Sequence, residues 1–449
     1  MSARALLDSM KSVATPGSAA VAPLRILIVA LNYAPEIVGC GKYTSELAED
    51  LARRGHRVEV VTAPPYYPDW KIPEGYSGAR WSTEPRAGVL VHRTPLYVPG
   101  RPSGMRRVVH LASFGLFALP TAVNVARRLR PDLVFAVEPT LAASVAALAA
   151  GKAMGARTWL HVQDFEVDAA FDLGVLKNPL GRRLALSLER LLLGGFHQVS
   201  AISNAMVKRL LSKGVPQYSV TELRNWVDVS ATPVYPSSDT GLRKSLGIPA
   251  NRIVALYSGN MAGKQGLEMI SEVARTFDRR CAPITFVLCG SGPGRANLEA
   301  ACADLGNVVF LPLQPADRLG ELLGSADIHL LPQRPEAADL VLPSKLTGIL
   351  ASGRPVVAMA ASGTALSEEV EGCGIAVEAS AASMSEALST LIEDSALRKR
   401  YGLAARRRAE SRWCKDRIIG EFELQAALLI TNASASHAGK TARQAREQS

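Results

Sequence analysis

Short apolar runs alternate with longer stretches of helical periodicity through the first half of the chain. A run such as DLVFAV, residues 132–137, is apolar throughout, which is typical of a β-strand covered on both faces. Alternating strands and helices predict a parallel, doubly wound α/β sheet with right-handed crossovers. The predicted strands are 25–31, 57–62, 89–92, 132–137, 157–161, 197–202 and 219–223, and the predicted helices are 42–54, 107–129, 140–154, 180–194 and 204–213.

A second series of the same kind follows residues 227–241, which are rich in Pro, Ser and Thr and are typical of a linker. The sequence therefore predicts two sheets whose strand ends face each other across a cleft, the place where such sheets bind ligands. The strands predicted here are 252–260, 284–290, 308–312, 326–332, 355–360 and 374–377, and the helices lie near 264–278, 293–304, 316–324, 343–352 and 364–370.

These patterns divide the 449 residues into segments. Residues 23–228 and 244–410 are predicted to be two Rossmann-like domains, joined by a linker at 229–243. Residues 411–430 are predicted to form a helix that crosses back to the first domain. The small, polar ends of the chain, 1–22 and 431–449, are predicted to be a disordered leader and tail.

The composition is that of a globular protein, with 48% apolar and 20% charged residues. The formal charge of +10 favours an acidic partner, namely nucleic acid, an anionic membrane or a phosphorylated ligand. Nucleic acid ranks last because aromatic residues are only 6% and no nucleic-acid-binding module is recognisable. The six cysteines form no CxxC pair and fit a reducing cytosol.

An apolar segment at 108–126 is interrupted by His110, Pro120 and Asn124 and has arginines on both sides. A spanning helix needs roughly 20 apolar residues. Arginines around a half-apolar segment favour a helix that lies on an anionic membrane surface. A buried core helix with solvated ends is the alternative.

A loop with Gly39 and Gly41 follows the first predicted strand and precedes a helix. Its spacing is not the GxGxxG dinucleotide fingerprint, so classical NAD binding is not expected. Small residues still let backbone N–H groups approach an anionic ligand at a helix start. A plain strand-to-helix turn is the alternative.

The second half of the chain has three similar turns, each at the carboxyl end of a predicted strand. Together they favour a phosphate-containing ligand more strongly than any one of them does. The first contains Gly259, Lys264 and Gly266, the second Gly290, Gly292, Gly294 and Arg295, and the third Pro343, Ser344 and Lys345.

These motifs, in this order, resemble family 4 retaining glycosyltransferases of the GT-B fold, in the branch that builds bacterial capsule and exopolysaccharide units such as colanic acid. The resemblance covers residues 24–420 and is specific for the fold and the broad activity, but not for the sugar. The matching stretches are NYAPEIVGCGKYTSELAEDLARRGHRVEVVTA, HVQDFE, AISNAM, RNWVD, YSGNMAGKQGLE, LCGSGPGRANLE and LPSKLTGILASGRPVV.

The resemblance implies three residues for the reaction itself. His161 would contact the donor sugar, or it is a satisfied histidine at a strand end. Asp164 would orient or deprotonate an acceptor hydroxyl, or it caps the next helix. Lys264 would bind the donor phosphates. Asn225 and Asp228 match a structural turn beside the cleft.

The resemblance also implies that the second domain holds the donor while the Gly39–Gly41 loop closes over the diphosphate and the acceptor. Cys40 between these glycines is then expected to be a small filler and not a nucleophile. The donor-binding residues implied are Gly39, Gly41, Gly259, Asn260, Lys264, Gly290, Gly292, Leu342, Pro343, Ser344, Lys345 and Leu346.

The chain departs from the family where many members have two glutamates eight positions apart. Leu340 and Gly348 stand at those positions, and Glu336 and Asp339 lie just upstream. The resemblance therefore assigns no glutamate to the ribose or to the donor sugar.

The implied reaction is transfer of a sugar from a GDP-, UDP- or dTDP-linked donor to a lipid-linked saccharide, with the anomeric configuration retained. No cofactor or metal is expected, because the chain lacks a DxD ligand motif and a His/Cys cluster. The enzyme would be cytoplasmic and peripheral on the inner face of the cell membrane. A nucleotide-sugar 2-epimerase and a non-catalytic nucleotide-sugar-binding partner remain as alternatives.

Overall fold

The protein is described by a computed structural model, which covers residues 21–36, 39–101, 103–138, 141–165, 179–235, 240–261, 265–334 and 342–447. The first domain contains an eight-stranded sheet in the order β3-β4-β2-β1-β5-β6-β7-β8. Every neighbouring pair in this sheet is parallel except β3 with β4. The strands are β1 Arg25–Ala30, β2 Arg57–Thr62, β3 Ser82–Arg86, β4 Val89–Arg93, β5 Leu133–Glu138, β6 Arg157–Val162, β7 Gln198–Ala201 and β8 Val220–Glu222.

Helices cover both faces of this sheet. Within β1, Ile26 and Ile28 belong to one buried cluster, whereas Leu27 and Val29 belong to another. Side chains of a strand alternate between faces, so an all-apolar strand serves two cores. The helices of the first domain are α1 Gly39–Arg53, α2 Gly104–Leu129, α3 Leu141–Met154, α4 Pro179–Gly194 and α5 Asn204–Ser212.

The antiparallel strand β3 is not predicted from the sequence. It lies at the edge of the sheet, contains Pro85, and is mostly exposed or half-buried, so it has no apolar run to reveal it. Proline and polar residues are typical of edge strands, where an outward N–H needs no partner in the sheet.

The second domain contains a six-stranded sheet, entirely parallel, in the order β11-β10-β9-β12-β13-β14. The predicted fold class, two doubly wound parallel-sheet domains, is thus confirmed. The strands are β9 Ile253–Ser258, β10 Ile284–Cys289, β11 Val308–Leu311, β12 Ile328–Leu331, β13 Val356–Met359 and β14 Gly374–Val377. The helices are α6 Gly241–Ser245, α7 Glu268–Arg279, α8 Arg295–Ala301, α9 Leu319–Gly324, α10 Lys345–Ala351, α11 Ala365–Val370, α12 Ala381–Glu393, α13 Ser395–Arg412 and α14 Lys415–Glu447.

Helix α14 leaves the second domain and packs on the first. Phe422 lies edge-on to Phe135, with ring centroids 5.1 Å apart, and 4.9 Å from the ring of Trp159. Ile418, Ile419 and Ala426 join the same buried cluster as strands β1 and β5. The last helix therefore completes the core of a domain formed by the first half of the chain.

Polar contacts fix the same helix. Glu423 accepts hydrogen bonds from Arg54 and His56, each at 2.8 Å. His56 Nδ1 accepts the Leu24 N–H at 3.0 Å, so its Nε2 carries the proton donated to Glu423. The helix continues to Glu447, where the sequence predicts a loose tail from residue 431, because the alanines of this stretch favour helix.

Candidate functional site

The carboxyl edges of the two sheets meet at helices α1 and α10. Burial raises the pKa of Tyr43 in α1, and the side chain of Thr347 in α10 lies near enough across the two domains to oppose that rise. Tyr43 also packs edge-on against Trp226, at 5.4 Å between centroids, and Trp226 donates to Glu46 at 2.7 Å. The start of each helix thus lies beside the start of the other, and the turns before them line the same cleft.

The turn of the first domain is built on two glycines with different constraints. Gly39 is exposed and has φ +60°, a left-handed value that favours glycine. Gly41 is tightly packed, because a Cβ there would lie 3.2 Å from both Cβ and Oε2 of Glu36. Cys40 between them is half-buried, and burial raises the pKa of its thiol to about 12. The sulfur is therefore a protonated filler at neutral pH.

Glu36 is a buried carboxylate beneath this turn. Its Oε1 accepts the N–H groups of Tyr66 and Tyr67 at 2.8 and 2.9 Å, and its Oε2 accepts Asn32 Nδ2 at 2.8 Å. Burial raises the pKa of Glu36 above its ordinary value. Glu36 is not predicted from the sequence, where its only signal is a single charge within the otherwise uncharged loop NYAPEIVGCG.

His161 lies inside strand β6 and is 4% exposed. Its Nε2 accepts the amide of Gln163 at 3.1 Å, so Nδ1 carries the ring proton toward Ser200 Oγ at 2.9 Å. Burial lowers the pKa of His161 to about 3, so the ring is neutral at physiological pH. Both ring nitrogens have protein partners, and the contact with the donor sugar stays a prediction.

Gln163 and Asp164 are the first residues beyond the end of β6. The Gln163 and Asn225 amides exchange two hydrogen bonds, at 3.0 and 3.1 Å, which links the strand to the RNWVD turn. Asp164 is exposed, and its charge is one cause of the raised pKa of Cys40. The Asp164 carboxylate is thus within electrostatic range of the Cys40 thiol.

The turns of the second domain pack backbone against backbone. A Cβ on Gly290 would lie 1.9 Å from the Gly259 carbonyl oxygen, and a Cβ on Gly292 would lie 2.6 Å from the Met261 carbonyl oxygen. Gly259, Gly290 and Gly292 have φ values of +131°, +156° and +144°. Glycine is therefore required by both the close approach and the backbone conformation. Asn260 lies exposed between these turns.

Lys345 fills the space beside Gly259. A Cβ on Gly259 would lie 2.4 Å from Lys345 Cε, and Lys345 Nζ donates to the Tyr257 hydroxyl at 2.6 Å. The Tyr257 hydroxyl donates in turn to the Asn260 carbonyl oxygen at 2.5 Å. Burial lowers the pKa of Lys345 to about 8. The Lys345 ammonium, which donates one N–H to Tyr257 and has others besides, is therefore held at the carboxyl end of β9.

Two candidates in the second domain have structural partners. Arg295 donates to the carbonyl oxygens of Gly290 and Leu311, at 2.5 and 2.7 Å, and so supports the turn instead of presenting its charge to an anion. The Leu346 N–H donates to the Pro343 carbonyl oxygen at 3.0 Å. Leu342 and Pro343 are half-buried, and Ser344 is exposed at the start of α10.

Several predicted positions lie outside the described residues, namely Lys264, Glu336, Asp339 and Leu340. Gly348 is described, and a Cβ there would lie 3.1 Å from Leu323 Cδ1. Asp228 accepts the N–H groups of Ser230 and Ala231, both at 3.0 Å, as a turn residue does.

Two facing parallel sheets with glycine-rich turns at a shared cleft define a two-domain glycosyltransferase of the GT-B fold. Residues 38–226 match the family model described as glycosyl transferase 4-like domain, and residues 238–408 match the model described as glycosyl transferases group 1. The two matches span most of the chain, which therefore belongs to this family of glycosyltransferases.

Among individual proteins, the chain is 40% identical to an Escherichia coli (strain K12) protein with the provisional name colanic acid biosynthesis glycosyl transferase WcaI. That match covers 89% of this chain and 98% of the relative. Two solved structures share the fold. Sucrose-phosphate synthase from Thermosynechococcus elongatus has a TM-score of 0.67 at 17% identity, over 92% of this chain and 100% of that one. Anabaena HepE in complex with UDP has a TM-score of 0.63 at 18% identity, over 92% of this chain and 100% of that one.

Proposed function

We propose that this glycosyltransferase moves a sugar from a nucleoside-diphosphate donor to a lipid-linked saccharide, with retention, in bacterial exopolysaccharide assembly. The observation that carries the proposal is the Lys345 ammonium, which is half-buried beside Gly259 and donates to the Tyr257 hydroxyl at 2.6 Å. The 40% identity to WcaI supports the exopolysaccharide context.

Lys345 serves the departure of the diphosphate in this proposal. Its Nζ is already fixed by Tyr257, so it needs little rearrangement as charge develops on the leaving phosphate. Burial weakens competition from water and strengthens its attraction to an anion. Lys264, on the same turn in the sequence, supplies a second cation.

Asp164 serves the acceptor hydroxyl on the opposite side of the cleft. It is exposed and within electrostatic range of Cys40, and a carboxylate there can accept the hydroxyl proton as the new bond forms. The neutral His161 ring accepts a hydrogen bond from the amide of Gln163, the residue before Asp164, and so fixes the end of strand β6. The lysines perform the charge stabilisation, and the reaction is proposed to need no metal and no cofactor.

The donor is proposed to be GDP-, UDP- or dTDP-linked, and the UDP complex of HepE supports a nucleotide in a site of this fold. A thermal-shift panel of nucleotide sugars identifies it, because a ligand that binds only the folded state raises the melting temperature. The proposed donor should raise it more than the free nucleoside does.

Peripheral contact with an anionic inner membrane on the cytoplasmic side is the second part of the proposal. Helix α2 is long and apolar enough to cross a membrane, but its residues Phe114, Ala118 and Ala122 pack against the sheet. Its other face is apolar and exposed, with Met105 at 72% and Leu116 at 69%. The exposed apolar side chains are Met105, Val108, Val109, Leu116 and Leu119, and exposed arginines 101, 106, 107, 127, 128 and 130 flank them.

Vesicle sedimentation tests this contact. The protein should sediment with vesicles containing phosphatidylglycerol and not with phosphatidylcholine alone, and Leu116→Asp should weaken sedimentation. Leu403→Asp, at an exposed leucine of α13, is the matched control. Equal binding to both vesicle types would contradict the proposal.

The reaction itself is tested with radiolabelled nucleotide sugars, with and without a polyprenyl diphosphate that carries one sugar. Acceptor-dependent transfer, with retention seen by proton NMR of the product, is the expected result. A donor epimerised without acceptor would instead establish the epimerase. Transfer that persists in EDTA supports the proposed metal independence.

A further inference from the structure

Glu36 holds two segments of the acceptor side of the cleft through one carboxylate. One oxygen accepts the consecutive N–H groups of Tyr66 and Tyr67, 2.8 and 2.9 Å away. The other accepts Asn32 at 2.8 Å and lies where a side chain on Gly41 would be. The Tyr67 backbone and the Gly41 backbone thus pack on the two oxygens of the same group.

The contacts of Glu36 differ from those of a buried carboxylate that serves an ion pair. Glu59, in the same domain and 4% exposed, accepts His92 at 2.9 Å and Arg57 at 3.1 Å, and these lower its pKa. Glu36 instead accepts uncharged N–H groups, and burial raises its pKa. Glu36 is buried without an ion pair to any residue that the structure describes, and its role is to fix the geometry of the loop. Its one side chain accepts hydrogen bonds from three N–H donors.

The two tyrosines held by Glu36 point in different directions. Tyr66 is 6% exposed and packs edge-on against His110 at 4.6 Å and Trp70 at 5.4 Å. Tyr67 is 43% exposed, five residues after the end of β2. The carboxyl ends of parallel strands share one edge of the sheet, so this ring lies on the edge that carries the Gly39–Gly41 turn. Tyr66 therefore fixes the loop to the domain, whereas the ring of Tyr67 is accessible to a ligand at this edge of the sheet.

We propose that Tyr67 is a wall of the acceptor subsite, where its ring stacks on the C–H face of a pyranose ring of the acceptor. Glu36 is the positioning residue that fixes Tyr67 against the Gly39–Gly41 turn. A tyrosine suits this ligand class because it offers a rigid apolar face and a polar hydroxyl at little entropic cost. The inference rests on the proposed function, since it names the residue that selects a saccharide acceptor.

Steady-state kinetics of the full chain test the inference, with a polyprenyl diphosphate that carries one glucose, galactose or fucose as the probe. Tyr67→Ala should raise the acceptor KM at least about fivefold, the lower range for one lost apolar contact, and leave the donor KM unchanged. Tyr67→Phe keeps the ring and should restore the acceptor KM to near the wild-type value. Glu36→Gln should raise the acceptor KM by less than Tyr67→Ala does.

Two matched variants separate positioning from loss of stability. Glu59→Gln removes a buried carboxylate of the same domain, and Tyr218→Ala removes a tyrosine that is 89% exposed. Both should leave the ratio of acceptor KM to donor KM unchanged. An unchanged acceptor KM in Tyr67→Ala, or the same ratio change in Glu59→Gln as in Glu36→Gln, would overturn the inference.

Direct binding distinguishes failure of the inference from failure of the proposed function. Saturation-transfer NMR with octyl glucoside, galactoside and fucoside should show contact between a sugar ring and the wild-type protein, and Tyr67→Ala should abolish it. If this holds and no donor gives transfer, the proposed function fails and the subsite stands. If no glycoside shows ring contact with the wild type, the subsite is wrong.

Discussion

The two sides of the cleft hold their glycine turns with groups of opposite charge, a buried carboxylate and a half-buried ammonium. In the first domain the carboxylate of Glu36 packs against Gly41, and in the second the ammonium of Lys345 packs against Gly259. Burial shifts both toward the neutral form, as it raises the pKa of Glu36 and lowers that of Lys345 to about 8. The carboxylate accepts three N–H groups of its own domain, whereas the ammonium donates to the Tyr257 hydroxyl and favours an anion.

The largest effect is expected from removal of the cation. Lys345→Met keeps most of the side-chain volume beside Gly259 but removes the charge, so transfer should fall by about 100-fold, as when one stabilising donor is lost. Initial rates at saturating acceptor measure it. Lys399→Met, at an exposed lysine of α13, is the control and should have the wild-type rate.

The second-largest effect concerns the rigidity of the glycine turns in the second domain. Gly290→Ala places a Cβ 1.9 Å from the Gly259 carbonyl oxygen at a φ of +156°, which should lower the free energy of unfolding by about 3 kcal/mol. Urea denaturation gives this value. Gly155→Ala has a positive φ but nothing within 4 Å, so it isolates the backbone strain. Equal losses in both variants would show that the close approach costs nothing.

The charge of Lys345 also predicts opposite pH dependences for binding and for stability. The dissociation constant of the donor should rise about tenfold between pH 7 and pH 9, because the ammonium loses its proton near pH 8. Stability behaves differently, since the unfolded chain binds more protons at this lysine between pH 8 and 10.5, so its contribution to stability rises with pH there.

Nucleotide titration calorimetry and urea denaturation, each at several pH values, measure the two trends. Lys345→Met should make the donor dissociation constant flat across the same range. A rise that persists in this variant would assign the titration to another group.

The smallest effect should come from the acceptor-side glycine. In Gly41→Ala the new Cβ meets the Glu36 side chain at 3.2 Å, and a side chain can shift where a backbone carbonyl cannot. The loss of stability should stay below about 1 kcal/mol, because alanine also favours the helix. Thermal unfolding beside Gly290→Ala measures the contrast. A loss as large as that of Gly290→Ala would mean that the two turns are equally rigid.

The sequence was sufficient for the architecture because apolar runs such as DLVFAV report burial on both faces of a strand directly. It also located the turns at Gly259 and Gly290, since glycine is required where two backbones touch. Strand β3 escaped because an exposed edge strand has no apolar run. A resemblance to a family identifies the equivalent residue but not the groups that it contacts. It therefore could not show that both ring nitrogens of His161 form hydrogen bonds within the first domain.

The hydrogen-bond partners of the charged side chains could not be predicted from the sequence either. Glu36 is joined to Tyr66 and Tyr67 across 30 and 31 positions, and Lys345 to Tyr257 across 88. No periodicity within one element encodes such pairs, because they depend on which loops the sheet order brings together. Arg295 illustrates the reverse case, since its place at a helix start suggested an anion site whereas its partners are carbonyl oxygens.

Helix α14 has a consequence for how the chain is made. A ribosome releases the strands of the first domain long before residues 415–430, yet Phe422 and Ile419 fill the core between β5, β6 and the helices of that domain. Domains usually complete their folding in the order of synthesis. Here the core of the domain that is translated first is completed by a helix that is translated last, so the first domain reaches its final packing only after the second has been made.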